Sequence, residues 1–465
     1  MGIEVTDEMM ASWPPEAQAV VRLLLAWVAA LEAKVAALEA RLNQTSRNSS
    51  KPPSSDGPSV KPAPPRPPSG RKRGGQPGHA KHEQPILPPD EVHDHKPLQC
   101  HHCDTALAGD DPNPIIDQVI ELPVQLRHVV HHRRHTRTCP RCRAATTASP
   151  VPEAACGFGP RVQATVAYLA GVGRLGKRAI RQLFADLGDI PLSLGMVSKL
   201  ERKTSVALAP LHAETLAATQ GQDAHIDETG WKQGAKRAWL WVARTATATA
   251  FLIRPTRGRA AFDELRTTPA GILTTDRYPV YNHLPVARRQ LCWAHLRRDF
   301  QAMIDRDDAG AAVGRDLLLH ADVLFEQWNR VRDGTLTRPG FARTYGWLRD
   351  EVHAALVRGT ACGAAQTQTV CEGLLPIEAA LWTFSHHDGI EPTNNAAERA
   401  IRHAVCWRKT SYGTDSEPGS RFVERILTVF ATARQHGHAI LATLTAAIHA
   451  ARHGTPTPSL VSCGA

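Results

Sequence analysis

The chain has 465 residues, 42% of them hydrophobic, which is more than one ordinary domain needs and enough for two to four packed units. Lys and Arg number 55 against 45 Asp and Glu, and the net charge of +10 favours a polyanionic partner. No stretch approaches the roughly 18 apolar residues that span a bilayer. The acidic start, MGIEVTDEMM, lacks the basic head and apolar core of a secretory signal. Membrane partners are therefore set aside, and a cytoplasmic protein is expected.

In chain order, Val21, Leu24, Val28, Leu31, Val35, Leu38 and Leu42 alternate spacings of three and four. That heptad pattern predicts a coiled-coil helix over 15–45, which would make the protein a homo-oligomer. A single amphipathic helix packed on its own chain is the alternative. Residues 46–85 lose all periodicity. Eight prolines fall between Pro52 and Pro68, and Lys61–His82 holds six Lys/Arg and no acid. This is a basic, Pro-rich linker, either simply solvated or lying on DNA phosphates through Arg71, Lys72 and Arg73.

Ten cysteines are present. Cys100-His-His-Cys103 and Cys139-Pro-Arg-Cys142 are two Cys-x-x-Cys pairs with 35 residues between them. Each pair can occupy adjacent corners of a tetrahedron, so together they predict one structural Zn2+ with no open coordination position. The zinc-binding β module is set at 86–147, with Asp117–Val130 as one of its strands by alternation. Arg133 and Arg134, in HHRRHTR, are candidate nucleic-acid contacts. Cys156, Cys292, Cys362, Cys371, Cys406 and Cys463 read as ordinary buried residues.

Residues 158–215 read as helices. Ile180, Leu183, Phe184 and Leu187 form one face, Gly188–Pro191 breaks it, and Ser193 N-caps a second helix carrying Met196, Val197 and Leu200. A helix-turn-helix would present Lys199 and Arg202 to DNA; any helical hairpin would look similar.

Over 220–300 the order becomes three strands, helix, strand, helix, strand, as in an RNase H-like core. Ala224–Trp231 reads as a short strand ending in Asp227 and a glycine turn, and Gly271–Asp276 as another ending in an acid. In such a fold the first and fourth strands are neighbours, which would bring Asp227 beside Asp276. A third acid, Glu398, lies in the first turn of a predicted helix capped by Asn394 or Asn395; taken alone, it reads as a capping-box glutamate. Three carboxylates suit two Mg2+ or Mn2+ ions, which can activate an attacking oxygen and stabilise a leaving one. Arg399, Arg402, Arg408 and Lys409 would form a phosphate track beside Glu398. Arg297 and Arg298 are further DNA candidates, and the nearby His295 reads as a satisfied core histidine. The 122 positions between Asp276 and Glu398 hold a helical insertion, 301–390, with Leu317, Leu318, Val323, Leu324, Trp328 and Leu348 in its core and Trp382 and Phe384 sealing it to the sheet. The core would resume over 391–435 and end in a helical tail, 436–465.

HIDETGW, TTDRYPVYN, QLCWAHLRRDF, EPTNNAAERAIRHAVCWRKTSYGT and RFVERILTVFATARQ resemble the transposases of the bacterial insertion sequence 66 family. So do NSSKPPSSD, GGQPGH and the two cysteine pairs. The resemblance implies a multidomain DDE-type transposase: an α/β RNase H-like core with an all-α insertion, preceded by the coiled-coil helix, the zinc module and the helix-turn-helix-like region. It implies double-stranded DNA as partner, accessory transposition proteins, and Asp227, Asp276 and Glu398 as the catalytic acids. A catalytically inactive DNA-binding regulator, or a nuclease that cuts without joining, are the other readings.

Overall fold

A computed structural model describes residues 7–42, 44–45, 48, 85–99, 101–120, 122, 126–149, 157–267 and 270–461. Two compact units are distinguished, one of residues 61–128 and one holding the rest of the chain. The boundary falls inside the predicted zinc module, so Cys103 belongs to the smaller unit and Cys139 and Cys142 to the larger. Arg71, Lys72, Arg73 and Cys100 lie outside the described residues. No helix among the described residues is long and apolar enough to cross a membrane.

After a short turn of helix, α1 (Asp7–Met10), the Ala-, Leu- and Glu-rich segment forms one unbroken helix, α2 (Pro15–Leu42). Pro15 takes the first helical position, where a missing N–H costs nothing. Leu24, Val28, Leu31, Val35, Leu38 and Leu42 of the heptad face are exposed.

In the smaller unit, Gln99 bridges to Ala106, and Asp104, just after Cys103, adopts a left-handed backbone. In the larger unit, β1 (Thr136–Thr138) pairs antiparallel with β2 (Ala145–Thr147) around the second cysteine pair. Arg143, just after Cys142, is left-handed as well. The expected strand over Asp117–Val130 does not form among the described residues. Its alternating side chains have no facing layer, and Val119 is 89% exposed.

Four helices follow: α3 (Pro160–Gly171), α4 (Lys177–Gly188), α5 (Leu194–Ala207) and α6 (Ala209–Thr219). Asp189 ends α4 in a left-handed cap, and the Ser193 hydroxyl accepts from the Met196 N–H at 3.1 Å to start α5. Ile180, Phe184, Val197 and Leu200 are buried, whereas Leu187 is exposed. Lys199 and Arg202 are exposed on α5.

A five-stranded mixed sheet comes next, in the order β5-β4-β3-β6-β7. Its strands are β3 (Ala224–Gln233), β4 (Lys236–Arg244), β5 (Thr249–Arg254), β6 (Leu273–Thr275) and β7 (Arg289–Leu291). β3, β4 and β5 are antiparallel neighbours; β6 and β7 run parallel to β3. Helix α7 (Arg259–Leu265) links β5 to β6. The helix expected between β6 and β7 is replaced by two 3-10 turns, Pro279–Tyr281 and Val286–Arg288. Pro279 and Pro285 in that short link cannot supply helix-interior N–H groups. β3 does not stop at Asp227: Gly230 stays in the strand, because β4 pairs with it through Gln233.

The sheet is buried on both faces. Leu240, Val242, Phe251 and Ile253 pack with α3–α5 and with α14 (Asn395–Ser411), α15 (Glu417–Gln435) and α16 (Ile440–His453), while Trp241, Ala243 and Leu252 pack with α7. This is the period-2 alternation of a strand buried twice. Between β7 and α14 stand α8 (Trp293–Asp305), α9 (Ala311–Arg332), α10 (Arg338–Thr344), α11 (Trp347–Thr360), α12 (Ala365–Leu374) and α13 (Thr383–His386). Leu317, Leu324, Trp328 and Leu348 are in their shared core. Segment 381–384 is tied to β7 and to the first residue of α8: Trp293 Nε1 donates to Leu381 O at 2.8 Å, Thr383 Oγ1 to Arg289 O at 2.7 Å, and Phe384 N to Gln290 Oε1 at 2.7 Å.

The edge strand β5 is closed by side chains. The N–H groups of Thr249, Phe251 and Ile253 donate to Thr432 Oγ1 (3.1 Å), Thr428 Oγ1 (3.0 Å) and Glu424 Oε2 (2.9 Å). Two residues of strand rise roughly 6.8 Å and four of helix 6 Å, so the two periods match. An open edge would invite pairing with another chain. Thr428→Val keeps the shape but leaves the buried Phe251 N–H unpaired. It should cost about 1–3 kcal/mol in denaturant unfolding and speed amide exchange at Phe251; unchanged stability and exchange would refute this role for α15.

Candidate active site

The register of the parallel strands decides which side chains meet. Ala224 pairs with Leu273 and His225 with Thr274, while Thr275 pairs with Leu291. Continued along the strands, that register sets Asp227 level with Asp276, and Asp276 level with Cys292. The Cys292 N–H donates to Thr275 O at 2.9 Å. Arg289, almost fully buried, fixes the turn after β6: it donates to Thr275 Oγ1 (3.1 Å), Asp276 O (3.0 Å) and Asn282 Oδ1 (3.2 Å). The Tyr278 N–H donates to Asp276 Oδ1 at 2.9 Å, and the Glu228 N–H to Asp227 Oδ1 at 2.9 Å.

Glu398 reaches the same strand ends through the start of α14. Asn394 is the N-cap residue, but its side chain caps nothing. Its Nδ2 donates to Ile226 O at 2.7 Å, its Oδ1 lies 3.2 Å from His225 Nδ1, and its backbone N–H donates to Cys292 Sγ at 3.1 Å. No capping box forms, so the structural reading of Glu398 fails. One turn on, Glu398 Oε1 lies 3.7 Å from His295 Nδ1. Both atoms are buried and neither has a hydrogen-bond partner. His295 is thus not the satisfied core histidine expected from its sequence context. Cys292, His295 and Glu398 offer ligand atoms within 4.8 Å of one another.

Charge is concentrated here. Burial, together with the charges of Glu228 and Asp276, pushes the Asp227 carboxyl up to about 8. Burial lowers His295, but the adjacent Cys292 side chain and the charge of Asp276 outweigh that and raise it to about 10. Glu228 is also raised, by burial and by Asp276, against the opposing pull of Arg257. Arg257 donates to Glu228 Oε1 at 2.8 Å and stacks over the Tyr278 ring at 3.6 Å; the Tyr281 hydroxyl donates to Glu228 Oε2. Glu228, Asn394, Arg289 and Cys292 were not picked out as functional from sequence. The signal available was Cys292-Trp-Ala-His295, a ligand-like spacing at a strand end.

The other predicted residues sit as follows. Arg399 and Arg402 are exposed on α14. Arg408 does not join them: it donates to Thr229 Oγ1 at 3.0 Å and to Gly230 O, pinning α14 across β3. Lys409 is exposed. Arg297 pairs with Asp322 and lies over Phe325, while Arg298 is half-buried and close enough to His295 to oppose its protonation. Arg133 and Arg134 are exposed, with Arg134 Nε donating to Ala148 O at 2.8 Å. The Cys142 and Arg141 N–H groups aim at Cys139 and, with the Cys142 thiol, lower its pKa. Cys103 is exposed in the other unit.

Removing the Asn394 side chain should loosen α14 from the strand ends. Asn394→Ala leaves Ile226 O unpaired at a cost of about 1–3 kcal/mol, read by denaturant unfolding. Wild-type stability would contradict the docking role.

Comparison with known proteins agrees with the resemblance seen in the motifs. Residues 8–85 match a family of unknown function (DUF6444). An uncharacterized protein, y4qI, from Sinorhizobium fredii (strain NBRC 101917 / NGR234) is 27% identical over 230 residues, 43% of this chain. The match spans 41% of that protein's length. Residues 156–421, more than half of the chain and all of the strands and helices that build the site, match the family model described as Transposase IS66 family; the chain belongs to that family.

Proposed function

We propose that the chain is a DDE-type transposase with an RNase H-like core, which binds the ends of its insertion sequence and carries out strand cleavage and strand transfer. What supports this reading is that the β3–β6 register, continued, sets Asp227 level with Asp276, while Glu398 on the helix docked by Asn394 lies 3.7 Å from His295, whose surroundings include Asp276. Family membership supports the transposase role.

The residues fit divalent cations. A buried carboxylate among like charges keeps its proton unless a cation compensates it, and Asp227 stands among Glu228 and Asp276. The buried Glu398 Oε1 has no hydrogen-bond partner, although His295 lies 3.7 Å away, so a ligand position on it is free. Asp227, Asp276 and Glu398 would hold Mg2+ or Mn2+. When bound, two such ions lower the pKa of an attacking water or 3′-hydroxyl and stabilise the leaving oxygen. The chain's own part is to hold the three carboxylates rigid: Arg289 fixes the Asp276 turn, Asn394 the Glu398 helix, and Arg257 with Tyr281 turns Glu228 away as a paired group. Arg399 and Arg402, exposed within a turn of Glu398, would orient phosphates of the bound strand. Arg298 would assist from α8.

Upstream, Cys100, Cys103, Cys139 and Cys142 would hold one structural zinc. The left-handed residue after each pair and the N–H groups aimed at Cys139 support a metal-knuckle geometry. Arg133, Arg134, Lys199 and Arg202 would contact element-end DNA, aided by the basic linker with Arg71, Lys72 and Arg73 and by Lys409. The exposed heptad face of α2 supports self-association, which would pair two element ends. Accessory proteins would complete the assembly.

Asp276→Asn should reduce strand transfer of pre-cut ends by at least about 10²–10³-fold, the scale of losing one preorganised charged group, while end binding stays at wild-type affinity. Transfer at the wild-type rate would exclude this mechanism. Cleavage without any transfer by the wild-type protein would favour a plain nuclease.

A further inference from the structure

Cys292 and His295 have no part in the magnesium chemistry, yet they lie against it. Cys292 continues β7 at the level of Asp276, and His295 follows on the first turn of α8. With Glu398 they present a sulfur, a nitrogen and an oxygen within 4.8 Å of one another. The His295 Nδ1 to Glu398 Oε1 separation of 3.7 Å is close to the edge of roughly 3.4 Å expected between N and O ligands of a tetrahedral zinc. Both atoms are buried and unpartnered. The Asn394 N–H donates to Cys292 Sγ at 3.1 Å, which fixes the sulfur's position beside the other two atoms. Magnesium takes hard oxygen ligands, whereas a mixed S/N/O set selects borderline ions such as Zn2+ and Co2+.

The geometry points to a second metal site at the catalytic centre, in which Cys292, His295 and Glu398 bind one zinc-like ion, with the fourth position left to water. Glu398 would then be shared. An ion held there withdraws that carboxylate from the two aspartates, so zinc and magnesium occupancy are mutually exclusive and zinc arrests the enzyme. The inference rests on the reading above only through this shared role of Glu398.

The test uses the full-length protein with the metal it retains on purification, titrated with Zn2+ and, separately, Co2+. The wild type should take up one equivalent more zinc than Cys292→Ser, and the added Co2+ should give a thiolate-to-cobalt charge-transfer band that Cys292→Ser lacks. Glu398 is partly exposed, so Glu398→Gln gives a second variant independent of the buried cysteine. It should keep the band but bind Co2+ at least about 10–100-fold more weakly, since losing a direct ligand costs no less than losing a group that only orients one. Equal zinc uptake and equal spectra in wild type and Cys292→Ser would overturn the site. So would undiminished Co2+ affinity in Glu398→Gln. Mn2+ binding followed by electron paramagnetic resonance separates the two readings. A Cys292-dependent cobalt band in a protein that binds no Mn2+ would sustain this site and sink the magnesium reading alone.

Discussion

Two half-buried carboxylates on adjacent parallel strands, with a third, buried acid next in sequence to one of them, repel one another. Asp227, Glu228 and Asp276 would not gather for stability, since Glu228 and Asp276 raise the cost of charging Asp227, and Asp276 that of charging Glu228. What holds them is register: the β3–β6 pairing sets Asp227 and Asp276 level, and Arg289 clamps the turn that follows. One of the three charges is neutralised internally, because Glu228 is met by Arg257 and Tyr281. For the remaining pair and Glu398 the nearby cation is His295, and it leaves the Asp227 carboxyl still raised to about 8. On the function proposed above, a bound divalent cation would relieve that repulsion.

The helix carrying Glu398 is anchored by groups that look like something else in the sequence. Asn394 reads as a cap, and the hydrogen bonds it would give a helix go instead to Ile226 and His225 on the sheet. Arg408 reads as part of a basic face, but it fastens the far end of the same helix to β3 at Gly230. The two ends of α14 are therefore fixed to the strand that bears Asp227, and Glu398 is placed by its position between them.

Much of this was legible beforehand. The strand–strand–strand–helix–strand order and the first-turn position of Glu398 follow from periodicity and breaker residues, because these report local backbone preference. The expectation that Asp227 lies beside Asp276 rests on the likeness of that order to an RNase H-like core, not on the local pattern. Other tertiary facts were not legible. β3 runs on through Gly230 because β4 supplies a full set of partners there, which a turn-forming residue in isolation does not reveal. The link between β6 and β7 lost its helix to Pro279 and Pro285. Asp117–Val130 alternates without a layer to bury it. Cys292 looked like any buried cysteine, since its nearness to His295 and Glu398 depends on strand ends and a helix that meet only in the folded chain. Thr428 and Thr432, which close the sheet edge, carry no sequence signal beyond their spacing of four.

Anomalous diffraction from crystals of the protein grown with Mn2+ addresses the central claim most directly. Manganese bound by carboxylate oxygens of Asp227, Asp276 and Glu398 together is the outcome this account requires. Strong manganese density elsewhere, with Glu398 turned away from both aspartates, would contradict it.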